Sequence, residues 1–436
     1  MEILIKIAQF LLSLSLLIIA HEAGHFLFAK LFRTRVEKFY LFFNPGFSLL
    51  RKKIGETVYG LGWLPLGGYV KISGMIDESM DRAQMAQPPK PWEFRSKKTW
   101  QRLLIMIGGV LVNFLLALFI YSMILFHWGS SYLPNENVRY GVVCDSLALK
   151  AGFRDGDRIL TIDGAPVEDF HEITTRLVLE NPSSAEVLRD GARIQIPIPA
   201  GFAADNIRSG TAILFQPRYP AVIDSLASSS VILRAGMQAG DSIVSINGLA
   251  VTFVHELRTQ LKAFEGQSIT IGYFRDTTFM EASVVVPTPP LLGFYTRGLE
   301  TKVQQYGLLE SIPAGISMGL ETSIMYLRQL RLLFTPETKA YESLGGFITI
   351  GSVFPGQWNW FAFWQLTAFL SIMLAIMNLL PIPALDGGHV MFLLYEMITG
   401  RKPSQKFMEH AQRFGMLLIL FLLLFANGND LLKLFR

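Results

Sequence analysis

Disulfide cross-linking is excluded at once, because the chain contains a single cysteine, Cys144. A lone cysteine has no intramolecular partner and belongs to no Cys-x-x-Cys metal or redox pair. On its own it reads as a small buried hydrophobe. Charge is scarce too. Only 17% of the residues are Asp, Glu, Lys or Arg, and the formal net charge is +4 over 436 residues. No basic patch with the footprint of a nucleic-acid surface is present, so DNA and RNA are not expected as partners. In place of charge the chain carries apolar mass: 51% of it is hydrophobic, too much for a typical soluble enzyme of this size.

The apolar residues are concentrated in four stretches of the length a bilayer requires, about 20 residues. They run from about Ile3 to Phe28, Leu103 to Phe126, Phe361 to Leu380, and Phe414 to Phe425, the last extended by its flanks toward Leu434. The first is expected to be a retained membrane helix and not a cleaved leader. It continues to about Phe32, no Ala-x-Ala site follows, and it carries ionisable residues that a discarded peptide would not need. A further apolar segment, Val390 to Ile398, follows Pro381 and Pro383 and is too short to span alone. It is expected to be a broken or re-entrant continuation of the third span. Lys and Arg crowd two loops, one from Lys30 to Arg102 that includes Arg51, Lys52, Lys53 and Arg82, the other from Arg401 to Arg413. Both loops should face the cytoplasm, and both termini and the long middle region the other side.

The middle region repeats itself. Ala151-Gly152-Phe153-Arg154-Asp155-Gly156-Asp157-Arg158-Ile159 leads to Ile162-Asp163-Gly164. Ala235-Gly236-Met237-Gln238-Ala239-Gly240-Asp241-Ser242-Ile243 leads to Ile246-Asn247-Gly248. Upstream, Asp145-Ser146-Leu147-Ala148 matches Asp224-Ser225-Leu226-Ala227. Two tandem copies of one small domain follow from this, and the pattern resembles the PDZ fold, which captures extended peptides at a sheet edge. Neither copy shows a Gly-Leu-Gly-Phe loop, which leaves a purely structural role open. The expected divisions are 1–126 (membrane core with a β-hairpin loop), 127–219 and 220–290 (the two PDZ-like copies), 291–360 (an amphipathic segment) and 361–436 (second membrane core). Within 291–360, Tyr306 to Leu333 has helical spacing, and suits either the membrane surface or packing on the second copy.

Chemistry enters with His21-Glu22-Ala23-Gly24-His25. On a helix, residues four apart share a face, so both imidazoles can hold one Zn²⁺ while Glu22 takes a proton from water. Three ionisable groups within a membrane helix are costly and therefore functional by default. A catalytic zinc usually has a third protein ligand. The stretch Asn378 to His389 supplies candidates at membrane depth, Asp386 and His389 among them, where Pro381 and Pro383 break the helix. Glu396 is expected to pair with a surface Lys or Arg. The glycine-punctuated runs Thr57 to Pro65 and Leu66 to Ile72 are expected to form a hairpin. Its free edge, with Gly68, Tyr69 and Val70, would add an extended substrate as a strand.

These residues resemble the site-2 proteases: His21-Glu22-Ala23-Gly24-His25 in the first span, and Asn378-x-x-Pro381-x-x-x-Leu385-Asp386-Gly387 in a second membrane segment. Pro65-Leu66-Gly67-Gly68-Tyr69-Val70-Lys71, the Gly108-Gly109 to Asn113-Phe114 stretch and the paired repeats resemble the bacterial branch called regulator of sigma-E protease. The resemblance covers nearly the whole chain. Gly108-Gly109 departs from the Gly-Pro that members often carry. The resemblance implies His21, His25 and Asp386 as zinc ligands, Glu22 as general base and Asn378 as a holder of the substrate backbone.

The expected protein is thus a polytopic α-helical membrane protein of the bacterial inner membrane, with about four spans and two extracytoplasmic PDZ-like domains. It would cut single-span proteins, such as a pre-trimmed anti-sigma factor or a signal-peptide remnant, within the lipid. Two rivals are a non-proteolytic zinc-binding membrane protein with peptide-binding modules and a PDZ-bearing transporter or channel. An intact Glu22 opposes the first, since a structural site needs no base. The clustering of ionisable residues at one level opposes the second.

Overall fold

The computed structural model describes residues 1–65, 67–75, 87–209, 213–333, 335, 338 and 345–434. Leu66, in the glycine-punctuated run, and Arg82, in the basic loop, lie outside them. The chain divides into two compact units, one of Met1–Gly129, Gln305–Arg331 and Tyr341–Arg436, the other of Ser130–Gln304 and Leu332–Ala340.

Among its described residues the first unit is built on six long helices: α1 (Glu2–Leu31), α2 (Thr99–Trp128), α3 (Leu308–Leu333), α4 (Trp360–Leu379), α5 (Asp386–Thr399) and α6 (Gln405–Leu434). Among the described residues, α1, α2, α4 and Lys406–Lys433 of α6 are long and apolar enough to cross a membrane. Helices apolar on every face bury nothing selectively in water, and they suit lipid. α1 and α2 run antiparallel: the rings of Phe32 and Trp100 meet at 5.3 Å, and His25 reaches the carbonyl of Ile105. Their axes approach closely because Gly24 faces Gly108. A Cβ on Gly24 would lie 2.2 Å from the Gly108 oxygen, the small-residue contact on which membrane helices rely. α4 joins them through buried hydroxyls, Thr367 to Ser13 at 2.9 Å and Ser371 to the Asn113 carbonyl at 2.7 Å.

α3 packs on α2, where Gly315 lies against Ser122 and the Ser122 hydroxyl points to the Ile312 carbonyl. Ile316, Leu320, Ile324 and Leu327 remain exposed on it. α5 is separate from α4, as the prolines require.

One expectation is corrected. The runs 57–65 and 66–72 do not form a hairpin with each other. The sheet between α1 and α2 has four strands, β1 (Val36–Leu41), β2 (Leu50–Ile54), β3 (Thr57–Leu61) and β4 (Tyr69–Ile72), in the order β2-β3-β1-β4. β3 pairs parallel to β1, β4 antiparallel to it, and the true hairpin is β2–β3. The glycine-rich connection crosses over β1 because Tyr40 and Phe39 supply the partners that β4 needs, Tyr69 and Val70. The consequence is that β4 is an edge strand.

In the second unit the repeats fold alike. The first has a sheet ordered Ala165–Pro166, Arg158–Ile162, Ser184–Arg189, Ala192–Pro197. The second is ordered Leu249–Ala250, Ser242–Ile246, Ser268–Arg275, Thr278–Val285. Each has its own apolar core, around Phe153, Ile159 and Val187 in one and Met237, Ile243 and Ile271 in the other. Each carries the same clamp. Arg189 grips the buried Asp157 with Nε and Nη2, each at 2.7 Å, and Nη2 also donates to the Gly152 carbonyl. Arg275 does the same to Asp241 at 2.8 Å and to Gly236. The second copy runs past residue 290: Leu292 lies in its core, and Phe294–Tyr295 pairs with Ser225–Leu226.

Candidate metal centre

α1 places His21 and His25 one turn apart with ring centroids 4.8 Å from each other. His25 is buried, and its Nδ1 lies 2.9 Å from the Ile105 carbonyl. A carbonyl only accepts, so Nδ1 carries the proton and Nε2 is left with a bare lone pair. Asp386 arrives from α5. The chain leaves α4 at Leu379, passes Pro381 and Pro383, and turns at Ala384, whose φ of +86° an L residue rarely adopts. Gly387 makes the turn possible, since a Cβ there would sit 2.1 Å from the Leu380 oxygen. Asp386 then begins α5, where the helix dipole favours a carboxylate.

α5 is tied to α2 by a buried ion pair. Arg102 donates to Glu396, which also accepts from Thr99. Val390 and Leu393 pack against the same helix, with Ile105 and Met106 in one cluster. Glu396 was expected to pair with a Lys or Arg near the surface; it does find a basic partner, but the pair is buried. That this partner stands on α2 and thereby fixes the helix bearing Asp386 was not visible in the sequence, where Arg102 counted only as one of many loop cations.

The three donor atoms converge. Nε2 of His21 and of His25 are 3.2 Å apart, and Oδ2 of Asp386 is 3.2 Å from each. A tetrahedral zinc with ligands at about 2.0–2.1 Å holds its donors roughly 3.3–3.4 Å apart, so the set fits the ion. Asp386 Oδ2 is buried and faces the two imidazole nitrogens. Three electron-pair donors facing one another suit a bound cation. Among the described residues this is the group of His, Cys, Asp or Glu side chains able to hold a metal, and His389 is not in it.

A cavity of about 540 Å³ opens on this group. Its wall includes Glu22, Gly68, Tyr69, Val70, Asn378 and His389. Gly68 is held tight: a Cβ there would come within 2.6 Å of Ile18 and 3.4 Å of the Glu22 side chain. Residues from α1, β4, α4 and α5 are thus brought to one chamber. The residues that sequence reasoning left out are the Ile105 carbonyl behind His25 and the strained Ala384.

A His-Glu-x-x-His helix faced by a carboxylate, among helices able to cross a bilayer, defines a membrane-embedded zinc peptidase. The chain belongs to peptidase family M50, whose model matches residues 9–422. It is 27% identical to a regulator of sigma E protease from Haemophilus influenzae, with 100% of both chains covered. It is 28% identical to the regulator of sigma-E protease RseP of Escherichia coli, over 98% of each chain. A protein of Vibrio cholerae named putative zinc metalloprotease is 26% identical, over 99% of this chain and 100% of that one. The protein is an intramembrane zinc metalloprotease of regulated intramembrane proteolysis, acting on membrane proteins.

Proposed function

We propose that His21, His25 and Asp386 hold the catalytic zinc, that Glu22 moves the protons, and that β4 and Asn378 hold the substrate. The observation that carries this reading is the mutual 3.2 Å spacing of three bare donors beside Glu22 in one cavity. When bound, zinc supplies the charge that polarises the scissile carbonyl and favours hydroxide near neutral pH. Glu22 takes the proton of the attacking water and delivers it to the leaving nitrogen as the C–N bond breaks. The edge of β4 offers unpaired backbone groups to a locally extended substrate, which would otherwise strand its N–H and C=O groups in lipid. Asn378, across the same cavity, both donates and accepts.

The substrate class is a single-span protein. An anti-sigma factor already trimmed outside the membrane accords with the names of the relatives, and a signal-peptide remnant is a second candidate class. The Lys- and Arg-rich loops support an inner-membrane protein with its site toward the cytoplasm. The two repeats are PDZ-like modules on the opposite side, where they screen substrates by the bulk of their external part. Replacing Glu22 with Gln tests the mechanism. Zinc content should stay at the parent level, while cleavage of a model transmembrane helix falls by about 10²–10⁴-fold. Near-normal turnover by the purified variant would overturn the assignment.

A further inference from the structure

The two candidate histidine ligands differ behind their metal-facing edge. His25 has the Ile105 carbonyl at Nδ1. Nδ1 of His21 is buried with no hydrogen-bond partner. A ligating imidazole almost always gives its second N–H to an acceptor, which fixes the tautomer and aims the ring. The same helix pair holds a second group in need. Asn113 of α2 is 0% exposed, and both polar atoms of its carboxamide lack a partner. The remaining such side-chain atoms among the described residues of this unit are accounted for elsewhere. Asp386 Oδ2 faces the histidines, and Gln9 and Thr34 lie near or beyond the two ends of α1.

The register brings the two orphans together. α1 and α2 are antiparallel, with Phe32 beside Trp100, His25 beside Ile105 and His21 beside Gly109. One turn further in the same direction sets Asn113 opposite the buried Leu17. Helical side chains lean toward the N-terminus of their own helix. By that lean His21 is directed toward the level of Leu17 and Asn113 toward the level of Gly109, which sets the two on converging courses along the α1–α2 interface. Gly109 leaves the room for this. A Cβ on it would lie 2.9 Å from His21 Nδ1 and 2.5 Å from His25 Nε2. The Ser371 hydroxyl, bonded to the Asn113 carbonyl, holds that turn of α2 against α4.

We propose that Asn113 is the positioning residue for His21: its carboxamide oxygen accepts the Nδ1–H of the imidazole, directly or across one trapped water. Nε2 is then fixed as the metal-facing atom, as Ile105 fixes it in His25. The proposal rests on the reading of His21 as a zinc ligand.

The test uses the full-length protein in detergent and reads zinc affinity by chelator competition, with the d–d absorption of the cobalt-substituted protein as a second signature. Asn113→Leu, which removes the acceptor at similar volume, should weaken zinc binding about 10–100-fold and shift the cobalt bands. Asn113→Asp keeps an acceptor and should retain zinc affinity with shifted bands. Thr367→Val breaks the neighbouring buried bond to Ser13 and should lower thermal stability while leaving both metal readouts at the parent value. A folded Asn113→Leu with parental affinity, or a folded Asn113→Asp with an unshifted cobalt spectrum, would overturn the proposal. His21→Ala separates the two levels. If it leaves zinc affinity unchanged, the ligand reading itself fails. If it abolishes binding while the Asn113 variants match the parent, the ligand stands and only the role of Asn113 is lost.

Discussion

Asp386 and His25 meet at 3.2 Å although they come from opposite ends of the chain. The contact holds because α5 is pinned to α2 by the Arg102–Glu396 pair while His25 is pinned to the same helix by Ile105. α2 is thus the common reference for both halves of the centre. Replacing Asp386 with Ala leaves two histidines, too few for a tight zinc site. Zinc content and cleavage should both fall, by more than the roughly 10–100-fold that follows loss of an outer partner. Metal analysis beside a cleavage assay checks this, and full zinc occupancy with parental activity would move the role to another residue, His389 first.

Strand addition at β4 predicts an asymmetry between neighbours. Along an edge strand, N–H groups alternate between the paired and the open side. Of Val70→Pro and Lys71→Pro, one removes an N–H that faces β1 and disturbs the sheet. The other removes an open-side N–H and is tolerated by the fold. The tolerated proline should impair cleavage of a stable helical substrate most, and affect less a substrate with Gly or Pro near its cut site. If both prolines leave cleavage of the helical substrate unchanged in a folded, zinc-loaded protein, addition at β4 is wrong.

Removing the repeat unit from Ser130 to Gln304 and bridging the gap with a flexible linker should let the enzyme cut substrates whose external part has not been trimmed. The comparison is cleavage of trimmed and untrimmed versions of one substrate. Loss of all cleavage, with the membrane helices still folded, would make the repeats a scaffold or a capture site.

The clamp in the second repeat sets a pH dependence. The hydrogen bonds from Arg275 hold the Asp241 carboxyl below the usual carboxylate range. A depressed folded value means that its contribution is fully present above about pH 4, the unfolded value, and is lost as pH falls through the lower folded value. Arg275→Ala leaves Asp241 buried with the Gln238 N–H but without its cationic partner, so the second repeat should lose stability near neutral pH. The cost should shrink in acid as Asp241 takes up a proton. Hydrogen exchange of Ser242–Ile246 in the full-length protein, followed from pH 7 to pH 3, measures it. A penalty that does not change with pH would contradict the assignment.

Much of this molecule is determined along the chain. The four apolar helices follow from hydropathy, because lipid imposes length and composition on each segment independently. The His21-Glu22-x-x-His25 face follows from helical period alone, and the paired repeats from their recurring Gly-Asp pattern. What tertiary structure decided are the pairings between distant segments. The strand order β2-β3-β1-β4 reverses the hairpin that the glycine spacing implied, because β1 offers partners on both sides and local sequence cannot say which strand takes which edge. Asp157 and Asp241 were legible as repeat positions, yet their arginines follow 32 and 34 residues later. A bidentate clamp depends on where two strands lie in a sheet, which no local pattern records. The same holds at the metal centre. The sequence offered Asp386 and His389 as candidates, with the resemblance favouring Asp386; the turn at Ala384 and Gly387 and the tether of α5 to α2 bring the Asp386 carboxylate, and not the imidazole three residues on, into the group with the histidines of α1.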